Sequence, residues 1–72
     1  MKTNKDGLPC LRELRYMNEL YVTPEVYHDG ETWVVADLKY RRTEEREEQY
    51  WELRRMPQKV TERMALLHAF GY

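Results

Sequence analysis

The C-terminal stretch from Thr43 to Phe70 constrains the fold more than any other part of the chain. Its apolar residues recur at steps of three and four, which places them on one face of a helix. These residues are Leu53, Met56, Val60, Met64 and Leu67. Thr43 is a good N-cap residue, and Gly71 stands where a helix would end. The pattern predicts that most of residues 43–70 is helical.

Pro57 interrupts this helical stretch. A proline inside a helix removes one backbone hydrogen bond and disfavours helical geometry at the residue before it, here Met56. The apolar face nevertheless continues through the proline in register. Two structures fit this pattern: a pair of helices at about 43–55 and 57–70, or one helix kinked at 53–57. We favour the pair, because Arg54 and Arg55 suit a helix C-terminus and proline suits a first helical turn.

The N-terminal part of the chain predicts one further helix. Residues 1–7 are polar and contain Gly7, so we expect them to be frayed. Four residues that follow share one helical face, namely Cys10, Leu14, Met17 and Tyr21. Alternating apolar residues in the same stretch also allow a strand. Its richness in Leu, Glu and Arg favours a helix at about 9–20.

The dipeptide Asp29-Gly30 predicts a β-hairpin, because it is flanked by Val, Tyr, Trp and Thr residues that suit strands. A two-residue turn places His28 opposite Glu31 and Val26 opposite Trp33. We predict strands at about 25–28 and 32–39, and the preceding proline limits the first of them.

These elements predict one α+β domain spanning residues 1–72. It contains an N-terminal helix, the hairpin with its turn at Asp29-Gly30, and a C-terminal helical pair or proline-kinked helix packed on the hairpin. The second strand, Trp33 to Lys39, has an unpaired edge in this arrangement. A homodimer through that edge is therefore one hypothesis for how so small a chain gains stability.

Composition limits the classes of function. The chain carries 12 basic and 13 acidic residues, so charge alone implies no surface for polyanions. Cys10 is the only cysteine, which excludes an intrachain disulfide and favours a reducing compartment. No apolar run is long enough to span a bilayer, and the first residues lack the apolar core of a secretory signal. We expect a cytoplasmic protein without membrane partners.

The sequence contains no pattern typical of a catalytic or metal site. Cys10, His28 and His68 lack the spacing of metal ligands, and none of the three glycines belongs to a phosphate-binding loop. The carboxylates of residues 44–52 lie on a predicted exposed helix, without the pocket that acid–base catalysis requires. We therefore expect no enzymatic activity, no cofactor and no metal.

Glu44, Glu48 and Glu52 are spaced by four residues, so on a helix they form one acidic stripe. Such a stripe could dock on a basic surface of a partner protein. The interpretation we favour is a solvated helix face that complements the helix dipole.

Aromatic residues are the strongest functional signal. Six Tyr, two Trp and one Phe exceed what a core of this size easily encloses, so some must reach the surface. Tyr27, Trp33, Tyr50 and Trp51, with the three glutamates, are the predicted partner-binding residues. The alternative is that Tyr rings cover a small core. The leading hypothesis is a protein-binding module that regulates or inhibits a larger intracellular protein or complex, as a phage or mobile-element accessory protein would.

Nucleic-acid binding is the second hypothesis. Lys39, Arg41, Arg42, Arg54 and Arg55 are interleaved with aromatic residues, an arrangement used to bind single strands. The basic group after the hairpin would also suit a wing that touches a DNA backbone. The glutamates that follow would repel phosphate, and the chain has no basic excess, so we rank this hypothesis second.

Overall fold

The computed structural model describes residues 3–72 and has the order helix, three strands, helix. The elements are α1 (Leu11–Leu20), β1 (Glu25–His28), β2 (Trp33–Arg42), β3 (Glu47–Arg55) and α2 (Glu62–Ala69). The strands form one antiparallel sheet in the order β1-β2-β3. The predicted α+β class, the N-terminal helix and the hairpin are confirmed.

The core lies between the two helices and one face of the sheet. Its buried residues come from four elements: Leu14, Val26, Val35, Ala65 and Leu66. Partly buried side chains surround them, namely Leu11, Met17, Trp33, Met56, Val60, Leu67, Ala69 and Phe70. The helices also contact each other, and Arg15 Nε donates to both carboxylate oxygens of Glu62 at 3.1 Å. Both helices therefore cover the face of the sheet that carries Val26 and Val35.

The register of β1 and β2 differs from the predicted one. His28 lies opposite Trp33 and Val26 lies opposite Val35. The predicted pairing of His28 with Glu31 and of Val26 with Trp33 is wrong by two residues, because the turn contains residues 29–32. Since side chains alternate between faces with a period of two, this even shift leaves each side chain on its predicted face.

Asp29 explains the longer turn. Its Oδ1 accepts hydrogen bonds from the backbone N–H groups of Glu31 and Thr32, both at 2.9 Å. These bonds, with Thr32 contributing more than Glu31, hold the pKa of Asp29 below its ordinary value, and nearby Arg55 adds to the effect. Gly30 has φ of 101°, a left-handed conformation that glycine adopts without steric cost. The Asp-Gly signal is thus used in a turn of four residues.

Residues 47–55 form strand β3, where the sequence predicted a helix at 43–55. That prediction is wrong. β3 pairs with β2 over nine residue pairs, with Trp51 opposite Leu38 and Glu47 opposite Arg42. Helix propensities differ by less than about 1 kcal/mol per residue. A continuous ladder with apolar and opposite-charge pairs across it outweighs that local preference.

Thr43 closes the β2–β3 turn and caps no helix. Its N–H and hydroxyl both donate to the Arg46 carbonyl at 2.8 Å, and its Oγ1 accepts from the Arg46 N–H at 3.1 Å. A threonine oxygen accepts from a nearby backbone N–H in both helix caps and turns. The local sequence around Thr43 therefore cannot distinguish a helix cap from a turn.

The C-terminal helix α2 is shorter than the predicted helix at 57–70. Thr61 is its N-cap and accepts from the Met64 N–H at 3.2 Å. Pro57 lies in the preceding turn, where its carbonyl accepts from the Val60 N–H at 3.0 Å. Neither the helical pair nor the kinked helix forms, because the first half of that stretch is a strand. Gly71, with φ of 80°, follows the helix as predicted.

β2 is the central strand of the sheet, and β3 occupies the edge that the prediction left free, from Val34 to Lys39. One side of β2 pairs with β1 as far as Ala36, and the other side pairs with β3 from Val34 onward. The hypothesis of a homodimer through this edge loses its structural basis, because a second copy would have to displace β3. It depended on a two-stranded hairpin, and the third strand occupies the position that the second copy would have taken.

The predicted fraying of residues 1–7 falls partly on Met1 and Lys2, which lie outside the described residues. From Thr3 onward the segment forms a turn, with an isolated bridge between Thr3 and Pro9. Arg63 of α2 donates to the Asp6 carboxylate at 3.0 Å and to the Pro9 carbonyl at 3.2 Å. The turn is therefore attached to the C-terminal helix.

Candidate interaction surface

The two faces of the sheet differ in what covers them. Residues paired across antiparallel strands point to the same side, so the register assigns every strand residue to a face. On the opposite side of the sheet neither helix packs, and within residues 3–72 only the small side chains of Val34 and Ala36 are buried there, outside the cluster around Val26 and Val35. We call this second side the open face. Its apolar residues are Tyr27, Val34, Ala36, Leu38, Tyr40, Trp51 and Leu53.

The open face exposes large apolar side chains. Tyr40 is 59% exposed, Trp51 45% and Leu53 57%. Trp51 lies opposite the half-buried Leu38 and Leu53 lies opposite the buried Ala36, so the exposed side chains of β3 adjoin apolar residues of β2. Contiguous exposed apolar surface on a small protein is typical of a site for another macromolecule.

Part of the open face lies on a projecting arm. β1 pairs only with residues 33–36, whereas β2 and β3 continue to a turn at residues 43–46. The arm, which we define as residues 37–52, makes the molecule elongated, with dimensions of 50 × 28 × 17 Å. Tyr40 and Trp51 lie on its open face. A partner could therefore approach these side chains without displacing either helix.

The structure brings together only two of the four predicted aromatic partner residues. Tyr27 and Trp51 both lie on the open face. Trp33 points to the other face and is half-buried against the core. Tyr50 also lies on that other face, where the Arg41 guanidinium stands 5.1 Å from its ring centroid. The prediction that some aromatic residues reach the surface is confirmed, but it did not say which.

The acidic stripe predicted from Glu44, Glu48 and Glu52 does not form, because residues 43–55 are not helical. Glu48 and Glu52 lie on the helix-covered side of β3, and Glu44 lies in the β2–β3 turn. Glu48 also forms an ion pair with Arg46 at 2.7 Å. These carboxylates therefore do not present one acidic docking surface.

The predicted basic residues lie on both sides of the sheet. Lys39, Arg41 and Arg54 lie on the helix-covered side, and Arg42 and Arg55 lie on the open face. Arg54 pairs with Asp37 at 2.9 Å, while Arg55 pairs with Asp29 at 3.1 Å and with Glu31 at 3.2 Å. Arg41 and Arg42 of β2 also lie opposite Glu48 and Glu47 of β3. The five predicted basic residues therefore form no contiguous basic patch.

The predicted partner-binding residues did not include Leu38, Tyr40 and Leu53, which are parts of this surface. A signal was present: apolar residues alternate at positions 34, 36, 38 and 40, and again at 51 and 53. This period of two predicts a strand with one apolar face. In residues 47–55 the helical spacing of apolar residues, which starts at Leu53 and continues to Leu67, outweighed this period of two.

Within residues 3–72, no group of three or more His, Cys, Asp and Glu side chains could hold a metal ion. None of the helices in that range has the length and apolar character needed to cross a membrane. No protein-family model, curated protein or solved structure matches this chain.

Proposed function

We propose that this protein is a non-enzymatic protein–protein interaction module that binds its partner through the open face. The observation that carries the proposal is the apolar surface formed on two neighbouring strands by the exposed Tyr40, Trp51 and Leu53 with the half-buried Leu38. Burial of aromatic and aliphatic side chains supplies most of the binding free energy of protein interfaces. The charged residues at the ends of the open face would form the polar rim.

The activity we propose is regulation or inhibition of a larger intracellular protein or complex. A chain of 72 residues that binds through one sheet face acts by covering a surface of its partner. The arm supports such a role, because it presents Tyr40 and Trp51 at a distance from the body of the protein. The free thiol of Cys10 supports an intracellular location.

The arm offers a matched pair of positions for a test. Tyr40 and Tyr50 lie on adjacent strands of the arm but on opposite faces. Each is replaced separately by the photoreactive residue p-benzoylphenylalanine, and the protein is irradiated in its native cells. We expect a crosslinked partner from position 40 and several-fold less from position 50. Equal yields, or crosslinks from position 50 alone, would contradict the proposal.

The crosslinked partner then permits a measurement of affinity. Trp51→Ala removes the central aromatic side chain of the open face, and Tyr50→Ala is the control on the other side of the same strand. Truncation of a central tryptophan costs about 2 kcal/mol or more, so we expect an affinity loss of about 30-fold for Trp51→Ala. Far-ultraviolet circular dichroism checks that both variants fold. Equal affinities of the two folded variants would refute a role for the open face.

A further inference from the structure

We propose that the partner segment bound by the open face carries a basic side chain, which enters a groove beside Trp51. This inference rests on the proposed function and names the chemistry of the partner. The groove has a volume of about 460 Å³. It is lined by Asn18, Glu19, Tyr21, Val22, Glu25 and Trp51.

The groove is continuous with the open face. Glu25 and Trp51 lie on the open face of β1 and β3, and both line the groove. The other lining residues come from the C-terminal end of α1 and from the connection to β1. A polypeptide that covers Trp51 therefore passes the entrance of the groove.

Charge determines which side chain fits the groove. Glu19 and Glu25 are both exposed, and neither forms an ion pair with another residue within the described range. Among residues 3–72, no basic side chain lines the groove. Four of the eight other carboxylates in the strands and their turns form ion pairs, namely Asp29, Glu31, Asp37 and Glu48. Two carboxylates at a groove whose lining contains no basic residue favour a cation supplied by the partner.

Two aromatic side chains add selectivity for a cation on an apolar stem. Tyr21 is 52% exposed and Trp51 is 45% exposed, and both line the groove. Cations bind to the faces of aromatic rings, and the planar guanidinium of arginine also stacks on them. A bidentate guanidinium can meanwhile donate to carboxylates. Arginine is therefore the side chain whose chemistry matches both the carboxylates and the aromatic rings of the groove.

Hydrogen bonds fix the walls of the groove before any ligand binds. The Asn18 side chain donates to the Val26 carbonyl and accepts from the Val26 N–H, both at 2.9 Å. The Thr23 hydroxyl accepts from the Leu38 N–H at 2.9 Å, which holds the connection beside β2. Preorganised walls reduce the entropic cost of binding.

The test uses purified protein labelled with ¹⁵N and two small probes. Nα-acetyl-arginine amide carries the cation, and Nα-acetyl-citrulline amide has nearly the same shape without the charge. We expect the arginine probe to shift the amide resonances of Asn18, Tyr21 and Val22 and the indole resonance of Trp51, in a saturable way. The citrulline probe should shift them several-fold less. Equal shifts from the two probes would overturn the inference.

Matched variants then test the carboxylates. The double variant Glu19→Gln/Glu25→Gln should weaken binding of the arginine probe about tenfold, because both charge-assisted contacts are lost. The control, Glu44→Gln/Glu45→Gln, makes the same change of charge in the β2–β3 turn and should leave binding unchanged. If both double variants weaken binding equally, the probe is attracted by general negative charge and the groove is not its site.

The outcomes separate this inference from the proposed function. If the arginine probe fails to bind the groove while crosslinking remains specific to position 40, the inference is wrong and the proposed function stands. If the probe binds as expected while positions 40 and 50 crosslink equally, the groove binds a cation but the open face is not the partner site.

Discussion

Asn18 joins helix α1 to the edge strand β1, and its replacement by alanine tests that connection. Its amide makes two hydrogen bonds to the backbone of Val26, each at 2.9 Å and partly buried. Each such bond contributes about 1 kcal/mol to the free energy of unfolding, so Asn18→Ala loses about 2 kcal/mol. Alanine favours the helix over asparagine by about 0.5 kcal/mol. The net expectation is a loss of about 1.5 kcal/mol.

Urea unfolding followed by circular dichroism measures this loss. With a denaturant slope of about 1 kcal/mol/M for a small domain, the midpoint should fall by about 1.5 M while the slope stays constant. The melting temperature should fall by about 6–12 °C. The control is Glu19→Ala, which changes the neighbouring exposed helical residue and removes no hydrogen bond made by Asn18.

Asn18→Ala and Glu19→Ala variants of equal stability would refute the reasoning. That result would mean that the Asn18 amide exchanges its two bonds for water without cost, and that core packing alone holds β1 against α1. A change in the denaturant slope would instead indicate that the variant alters the extent of the cooperative unit.

Two further predictions concern the sheet and its first turn. Arg42→Glu places like charges opposite each other at Glu47 and should destabilise the protein by about 0.2–1 kcal/mol, which Glu47→Arg should restore in a double-mutant cycle of urea unfolding. Additive effects of the two changes would contradict the pairing of β2 with β3. The hydrogen bonds from Thr32 and Glu31 lower the pKa of Asp29 from 3.8 in the folded state. The ionised carboxylate therefore stabilises the fold above pH 3.8, and this stabilisation is lost as the pH falls through the lower folded-state pKa. A carboxyl ¹³C titration of Asp29 should show a midpoint below 3.8, and a midpoint at or above 3.8 would disprove the hydrogen-bonded turn.

Local patterns predicted α1 and β1 well. The apolar spacing of α1 and the proline that limits β1 are properties of a few neighbouring residues, and both elements formed close to the predicted bounds. The turn signal at Asp29 was also correct in position, although the side chain selects a turn two residues longer. Short-range sterics and hydrogen bonds act in the same way in every tertiary context.

Strand β3 was not predicted, because its stability depends on a partner rather than on its own residues. The stretch at 47–55 has a composition that favours a helix, and no residue of β3 is buried in the core. Its pairs across the sheet, such as Leu38 with Trp51 and Arg42 with Glu47, exist only once β2 is in place. Only this pairing shows that the basic residues at the end of β2 and the acidic residues at the start of β3 lie opposite each other.

The sequence by itself determined the α+β class, the first helix, the position of the hairpin and the surplus of aromatic residues. Only the tertiary structure decided that Tyr27, Tyr40 and Trp51 share one face, that Trp33 and Tyr50 lie on the other, and that Glu25 meets Trp51 at a groove. The physical reason is that a surface is assembled by strand register. A residue's face depends on pairing with residues distant in the chain, and those non-local contacts leave little trace in local propensity.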